Sequence, residues 1–131
     1  MNYSELKSSY MRACAILGVN PEEMVLGAGG ACVVYEVRLY TQDLDLEVPD
    51  WLYDKLISEG HTETIHTNPN IVVLEYTDTI QLHRSSGDGR AVEIDGIWVY
   101  PLEKLLEQKL SLNRPKDQTD IQRLQALAET A

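Results

Sequence analysis

From Gln42 to Val48 the chain alternates without a break, with Leu44, Leu46 and Val48 on one side and Asp43, Asp45 and Glu47 on the other. Period two belongs to a β-strand, and an apolar edge opposite an acidic one predicts a half-buried strand with a sheet beside it and helices against its apolar side. Pro49 ends the strand, because it cannot donate to a ladder. Asp43 and Asp45 would project in parallel about 6.6 Å apart, close enough for two carboxylates to converge on one divalent cation or to bridge two. The same alternation also suits a plain solvated sheet face, and taken alone it favours that reading.

Residues 3–17 carry Tyr3, Leu6, Tyr10, Ala13, Ile16 and Leu17 at steps of three and four, one face of a helix that Gly18 stops. Met24-Val25-Leu26 reads as a short buried strand entering a turn over Gly27-Ala28-Gly29-Gly30, with a helix expected over 31–35. Asp50 is a candidate cap for a helix over 51–58 that packs through Leu52 and Leu56 and ends at Gly60. Strands are expected at 62–67 and 71–76 around an Asn68-Pro69-Asn70 turn, and Thr77-Asp78 turns the second into 79–84. The segment 85–89 is a loop by composition, and Asp95-Gly96 marks a hairpin between 92–94 and 97–100. Pro101 opens a helix with Leu102, Leu105, Leu106, Lys109 and Leu110 on one face, Arg114-Pro115 stops it, and a last helix from about Asp117 carries Ile121, Leu124 and Leu127. The succession predicts one α/β domain over residues 1–131: a mixed sheet of about five strands, flanking helices, and two C-terminal helices closing the site.

Composition bounds the partners. The 131 residues with 44% hydrophobic content suffice for one core. A formal charge of -10, from 21 acidic and 11 basic residues, disfavours nucleic acid and anionic membrane, since neutralising phosphates takes clustered Lys and Arg. A small ligand or a protein partner is expected instead. Cys14 and Cys32 lack metal-ligand spacing and read as buried thiols. Met1 to Glu5 show no basic stretch followed by an apolar one, and no run is long enough to span a bilayer, so the expected location is cytoplasmic.

The glycine turn and the aspartates belong to one pattern. Gly29-Gly30 lets backbone N–H groups approach a polyphosphate closely, and two hard carboxylates suit Mg2+, which shares its ligands with substrate phosphates. Gly29-Gly30, then Arg38, then Thr41-Gln42-Asp43-Leu44-Asp45-Leu46 resembles the signature of the DNA polymerase beta-like nucleotidyltransferase superfamily, in particular the small nucleotidyltransferases of toxin-antitoxin and abortive-infection systems. Ile97-Trp98-Val99, Leu102, Leu105, Leu106, Lys109, Leu110, Arg114-Pro115-Lys116-Asp117 and Asp120-Ile121 with Leu124 look like the C-terminal helical motif of that family, so the likeness runs from about Val25 to Leu124. It implies that Gly29, Gly30 and Arg38 face the phosphates of an NTP, that Asp43 and Asp45 hold Mg2+, that Lys109 approaches the nucleotide, and that Asp117 or Asp120 supports that lysine or the acceptor. The implied activity is transfer of a nucleotidyl group from the NTP to a hydroxyl on a protein, an RNA end or a small molecule, with RNA disfavoured by the acidity.

Each residue also has a plainer role. Lys109 can bury its stem and keep its head in water, Asp117 can cap the last helix, Asp120 can sit in its favourable first turn, and Arg38 can pair with Asp43 or Asp45. Two positions depart from the family pattern. Gln81, in Ile80-Gln81-Leu82-His83, stands where a third carboxylate is expected, and an amide carries no charge and cannot act as a base. Glu75 and His83 are the nearby candidates to replace it. Ala31 and Cys32 follow the glycines where relatives often have Ser or Thr. These departures support a second reading, a catalytically degenerate member acting as a binding or assembly module. An unrelated α/β domain with an acidic strand is a third.

Overall fold

The computed structural model describes residues 1–67 and 70–130. Helix α1 (Tyr3–Leu17) opens on a capping box that the sequence reading missed: the Asn2 side chain accepts from the Glu5 N–H at 2.9 Å, and Glu5 returns the bond to the Asn2 N–H at 3.0 Å. It ends at Gly18, whose φ of 69° is the left-handed conformation that glycine adopts freely. A 3-10 turn over Pro21–Glu23 leads into β1 (Val25–Gly27), α2 (Ala28–Val34), β2 (Leu44–Val48) and α3 (Asp50–Ser58). Then come β3 (Glu63–Thr67), β4 (Asn70–Thr77), β5 (Ile80–Arg84), β6 (Val92–Ile94), β7 (Ile97–Val99), α4 (Leu102–Leu112), a 3-10 turn over Pro115–Asp117 and α5 (Gln118–Thr130). The turn expected at 68–70 lies, for Asn68 and Pro69, outside the described residues.

Among the described residues seven strands join one mixed sheet in the order β3-β4-β5-β2-β1-β7-β6, which corrects the expected five. Strands of three residues cannot stand alone. The β6–β7 hairpin therefore docks through a parallel pairing of Val99 with Leu26, and the β3–β4 hairpin docks through β5. At the centre, β2 lies antiparallel to β1 and parallel to β5, with Leu26 opposite Leu46 and Leu46 opposite Leu82. Leu26, Leu44, Leu46, Val48, Leu74, Leu82, Ile97 and Val99 form the sheet side of the core, and Leu6, Tyr10, Leu52, Leu105 and Leu124 cover it from the helices. The expected helix faces hold in their central positions and fail near the C-terminal ends, where Ile16 is 64% and Leu110 46% exposed.

Other boundaries shift by a few residues. α2 begins at Ala28 instead of 31, so the glycines lie inside its first turn, and Ala28 takes a positive φ of 51° to make the bend. Asp50 is the first residue of α3, not its cap; with Asp54 it binds Arg84, whose guanidinium lies 4.2 Å from the centre of the Tyr53 ring. Cys14 and Cys32 are both buried, and burial pushes the Cys32 thiol up to about 11. Among the described residues, no helix is long and apolar enough to cross a membrane.

Tyr10 ties α1 to the strands. Its hydroxyl lies 2.7 Å from the Met24 carbonyl and 2.8 Å from the Pro21 carbonyl, and accepts from the Trp98 N–H at 3.2 Å. Removing it leaves buried backbone groups without partners. Tyr10→Phe should therefore lose about 1–3 kcal/mol in urea unfolding with no change in m-value, and unchanged stability would rule out this anchor.

Candidate functional site

The site starts from sheet register. Gly27, the last residue of β1, pairs with Asp45 on β2, so the turn into α2 leaves the sheet directly beside that carboxylate. Each glycine in the turn has a close neighbour. A Cβ at Gly27 would come within 3.0 Å of the Tyr100 ring, one at Gly30 within 2.7 Å of Leu26 Cδ1, and one at Gly29 within 2.5 Å of Arg38 Nη1 and 2.9 Å of Thr41 Oγ1. Thr41 is buried and donates to the Asp43 carbonyl at 3.1 Å. The segment carrying Arg38 and Thr41 thus lies against Gly29 and runs straight on to Asp43. Both aspartates consequently border the glycine turn, although Asp43 falls one residue before β2 begins at Leu44.

Across the sheet from Asp45 the polar row continues. Gln81 on β5 is its register partner, and Glu75 on β4 is the partner of Gln81. The Gln81 amide donates to Glu75 Oε1 at 3.5 Å, a long bond between two part-buried groups. His83 Nε2 lies 3.1 Å from Asp45 Oδ1 and, when protonated there, donates to it. Gln81 therefore does occupy the place beside Asp45 where a third carboxylate would be sought, and Glu75 is one strand further out.

The C-terminal motif forms a buried chain of charges. Lys109, only 3% exposed, sits with Nζ 3.4 Å from Asp117 Oδ1 and 3.5 Å from Asp120 Oδ2. Arg114 binds Asp117 through Nε at 2.7 Å and Nη2 at 3.1 Å. Arg38 binds Asp120 through Nη2 and, at 3.4 Å, through Nε. This geometry excludes two of the plainer roles: the head of Lys109 is not in water, and Arg38 pairs with neither Asp43 nor Asp45. Asp117 closes the 3-10 turn ahead of α5 by accepting from the Arg114 backbone at 3.3 Å. Burial alone would raise its carboxyl, but the Arg114 hydrogen bonds and the Lys109 charge outweigh it and hold the group below the ordinary carboxylate value.

A further cluster on the same face of β2 went unread in the sequence. Glu47, two residues beyond Asp45, accepts from the Tyr100 hydroxyl, and burial together with that carboxylate pushes the phenol well above its ordinary value. Lys104 lies 4.2 Å from the centre of the Tyr100 ring and binds Ser86 Oγ at 3.0 Å and Asp88 Oδ1 at 3.2 Å. Hydrogen bonding from the Arg90 backbone, with the Lys104 contact, lowers Asp88 to about 2. The 85–91 segment, a loop by composition, is thereby fastened beside a recess of about 210 Å3 bordered by Glu22, Glu23, Glu47, Ser86, Arg90 and Lys104. No local pattern announces this cluster, because its members come from β2, α4 and the two loops between.

Comparison with known proteins adds no relative: no family model, no curated protein and no solved structure matches the chain. Among the described residues, no group of three or more His, Cys, Asp or Glu side chains is arranged to hold a metal ion. Mg2+ is commonly held through one or two carboxylates, with water and substrate phosphates completing the shell. The half-buried Asp43 and Asp45 fit that shared mode, and a closed protein cage is not formed among the described residues.

The Asp117 charges set a pH dependence. The folded carboxyl titrates below its unfolded value near 3.9, so its contribution is complete above that pH and is lost as pH falls through the lower folded value. Asp117→Asn should cost about 1–3 kcal/mol at neutral pH, since it takes the carboxylate from Arg114 and leaves buried Lys109 with Asp120 alone, and the gap to the unaltered chain should narrow below about pH 4. Chemical unfolding at a series of pH values measures this. A gap independent of pH would show that the pairing does not hold the carboxylate ionised.

Proposed function

We propose that the chain is a nucleotidyltransferase-type domain that binds an NTP with Mg2+ at the glycine turn and moves its nucleotidyl group to a hydroxyl acceptor on a protein or small molecule. The observation that carries this reading is the joint placement of Gly29, Asp43 and Asp45: Gly27 pairs with Asp45 while Thr41, two residues before Asp43, packs on Gly29. The glycine turn brings backbone next to the strand that carries Asp45, where a polyphosphate could approach both.

Mg2+ at Asp43 and Asp45 would neutralise phosphate charge and fix the triphosphate in line with the acceptor. The chain itself binds and orients. His83 holds one oxygen of Asp45 and sets its rotamer, while Thr41 steers the backbone of Asp43. Lys109, locked between Asp117 and Asp120, fixes the α4–α5 pair behind the turn. In the transfer, the acceptor oxygen bonds to the α-phosphorus, the α–β bridging bond breaks, and pyrophosphate leaves with the electron pair. The hydroxyl proton passes to solvent or to a carboxylate.

A second reading is favoured by the Gln81–Glu75 bond. A neutral amide beside Asp45 leaves the row one charge short and without a base at that position, which suits a degenerate domain that binds nucleotide or a protein partner and transfers nothing. Isothermal titration with each NTP, with and without Mg2+, tests the shared part of both readings, and label transfer from an α-phosphate-labelled NTP separates them. Binding should require the metal, and Asp43→Ala should abolish the metal-dependent part. Unchanged affinity in that variant would remove Asp43 from the site.

A further inference from the structure

We propose that Asp120 is a positioning residue: it fixes the Arg38 guanidinium so that the nitrogen left over, Nη1, stands over Gly29 as the donor to the triphosphate of a bound nucleotide. The inference rests on the nucleotide reading above and adds to it the residue that aims Arg38.

A guanidinium is a rigid planar fork, so holding one edge fixes the other. Asp120 takes the edge formed by Nε and Nη2, and among the described residues Nη1 has no acceptor. Nη1 is the atom that lies closest to the Cβ position of Gly29, at 2.5 Å, so the absence of a side chain there lets the guanidinium rest on the turn. The two partners differ in exposure in the sense the role requires: the Arg38 side chain is 33% accessible and that of Asp120 6%. Asp120 cannot follow the arginine outward, because Lys109 Nζ holds its Oδ2 at 3.5 Å. One helical turn further on, Arg123 Nη1 donates to the Val37 carbonyl at 2.9 Å, so α5 grips the residue before Arg38 as well.

Charge supplies the need. A chain of net charge -10 repels a triphosphate, and Mg2+ at Asp43 and Asp45 would offset only part of that charge, so a fixed cation facing the phosphates strengthens binding. Lys109 is spent on Asp117 and Asp120, whereas Arg38 keeps one nitrogen unengaged at the turn. A lysine at position 38 would bring the same charge without the fork, and could not serve Asp120 and a phosphate in one fixed geometry.

Titration of the full chain with each Mg2+–NTP and the matching Mg2+–NMP reads the role directly. The unaltered chain should prefer the triphosphate, and Arg38→Lys and Asp120→Asn should each weaken NTP binding about tenfold while leaving NMP binding in place. The double variant should be no weaker than Arg38→Lys alone, because both act on one group. A merely structural role would lower NTP and NMP affinity together. Arg38→Lys keeps a cation beside Asp120 and should fold where Asp120→Asn does not, which a thermal melt checks, so it decides the matter even if Asp120→Asn fails to fold. An unchanged NTP-to-NMP ratio in Arg38→Lys would overturn this inference alone, and an unchanged ratio in a folded Asp120→Asn would remove Asp120 from the role. Failure of the unaltered chain to bind any NTP would overturn the proposed function and this inference with it.

Discussion

The chain of charges Arg38–Asp120–Lys109–Asp117–Arg114 is the interaction on which the arrangement of this molecule depends. Three cations and two carboxylates are packed where the acidic partners are only a few per cent exposed. Desolvating such groups costs several kcal/mol each, and well-packed apolar residues of similar volume are often as stable. Stability is therefore a poor explanation for the network, and geometry is a better one. Apolar contacts tolerate sliding, whereas a bidentate pair fixes distance and angle. Here the pairs fix α5 and the 3-10 turn before it against α4, and then, across 82 residues of sequence, against the arginine at the glycine turn.

What the sequence disclosed follows from the range of the forces involved. Period-two and period-3.6 patterns and turn residues act over a few residues, and together they located the five α-helices and the seven strand stretches of the described residues, though neither 3-10 turn. Sheet size did not follow, because whether a three-residue strand joins depends on a distant partner, here Val99 finding Leu26. Boundaries moved where tertiary contacts overrode propensity. Ala28 adopts a positive φ to start α2 early, and Asp50 gives up capping for Arg84. Of the candidate site, Gly27 pairs with Asp45 and Thr41 packs on Gly29, so the glycine turn and the segment that carries the aspartates adjoin. Lys109 meets both carboxylates that the resemblance offered it, Asp117 and Asp120, whereas the partner of Arg38 was out of reach, since Asp120 lies 82 residues away and no local pattern links the two. The Glu47–Tyr100–Lys104 cluster was equally hidden, because it is assembled from segments more than fifty residues apart.

Packing reasons for the glycines alter what their presence means. A Cβ at Gly27, Gly29 or Gly30 would crowd Tyr100, Arg38 with Thr41, or Leu26 respectively, and the neighbouring side chain would have to shift to admit it. Glycines at this turn thus do not by themselves argue for phosphate. The weight passes to what lies against them: an arginine with one nitrogen unengaged at Gly29, and two half-buried carboxylates on the strand and at its entry.

Gln81 then acquires a definite electrostatic meaning. With Asp45 and Glu75 on either side of it in register, an ionised aspartate at that position would set three adjacent carboxylates across neighbouring strands, and like charges directly opposite one another destabilise a sheet unless a cation lies between them. The amide removes that requirement: it donates to Glu75 and leaves Asp45 to His83. The row is thereby self-satisfied without a bound ion.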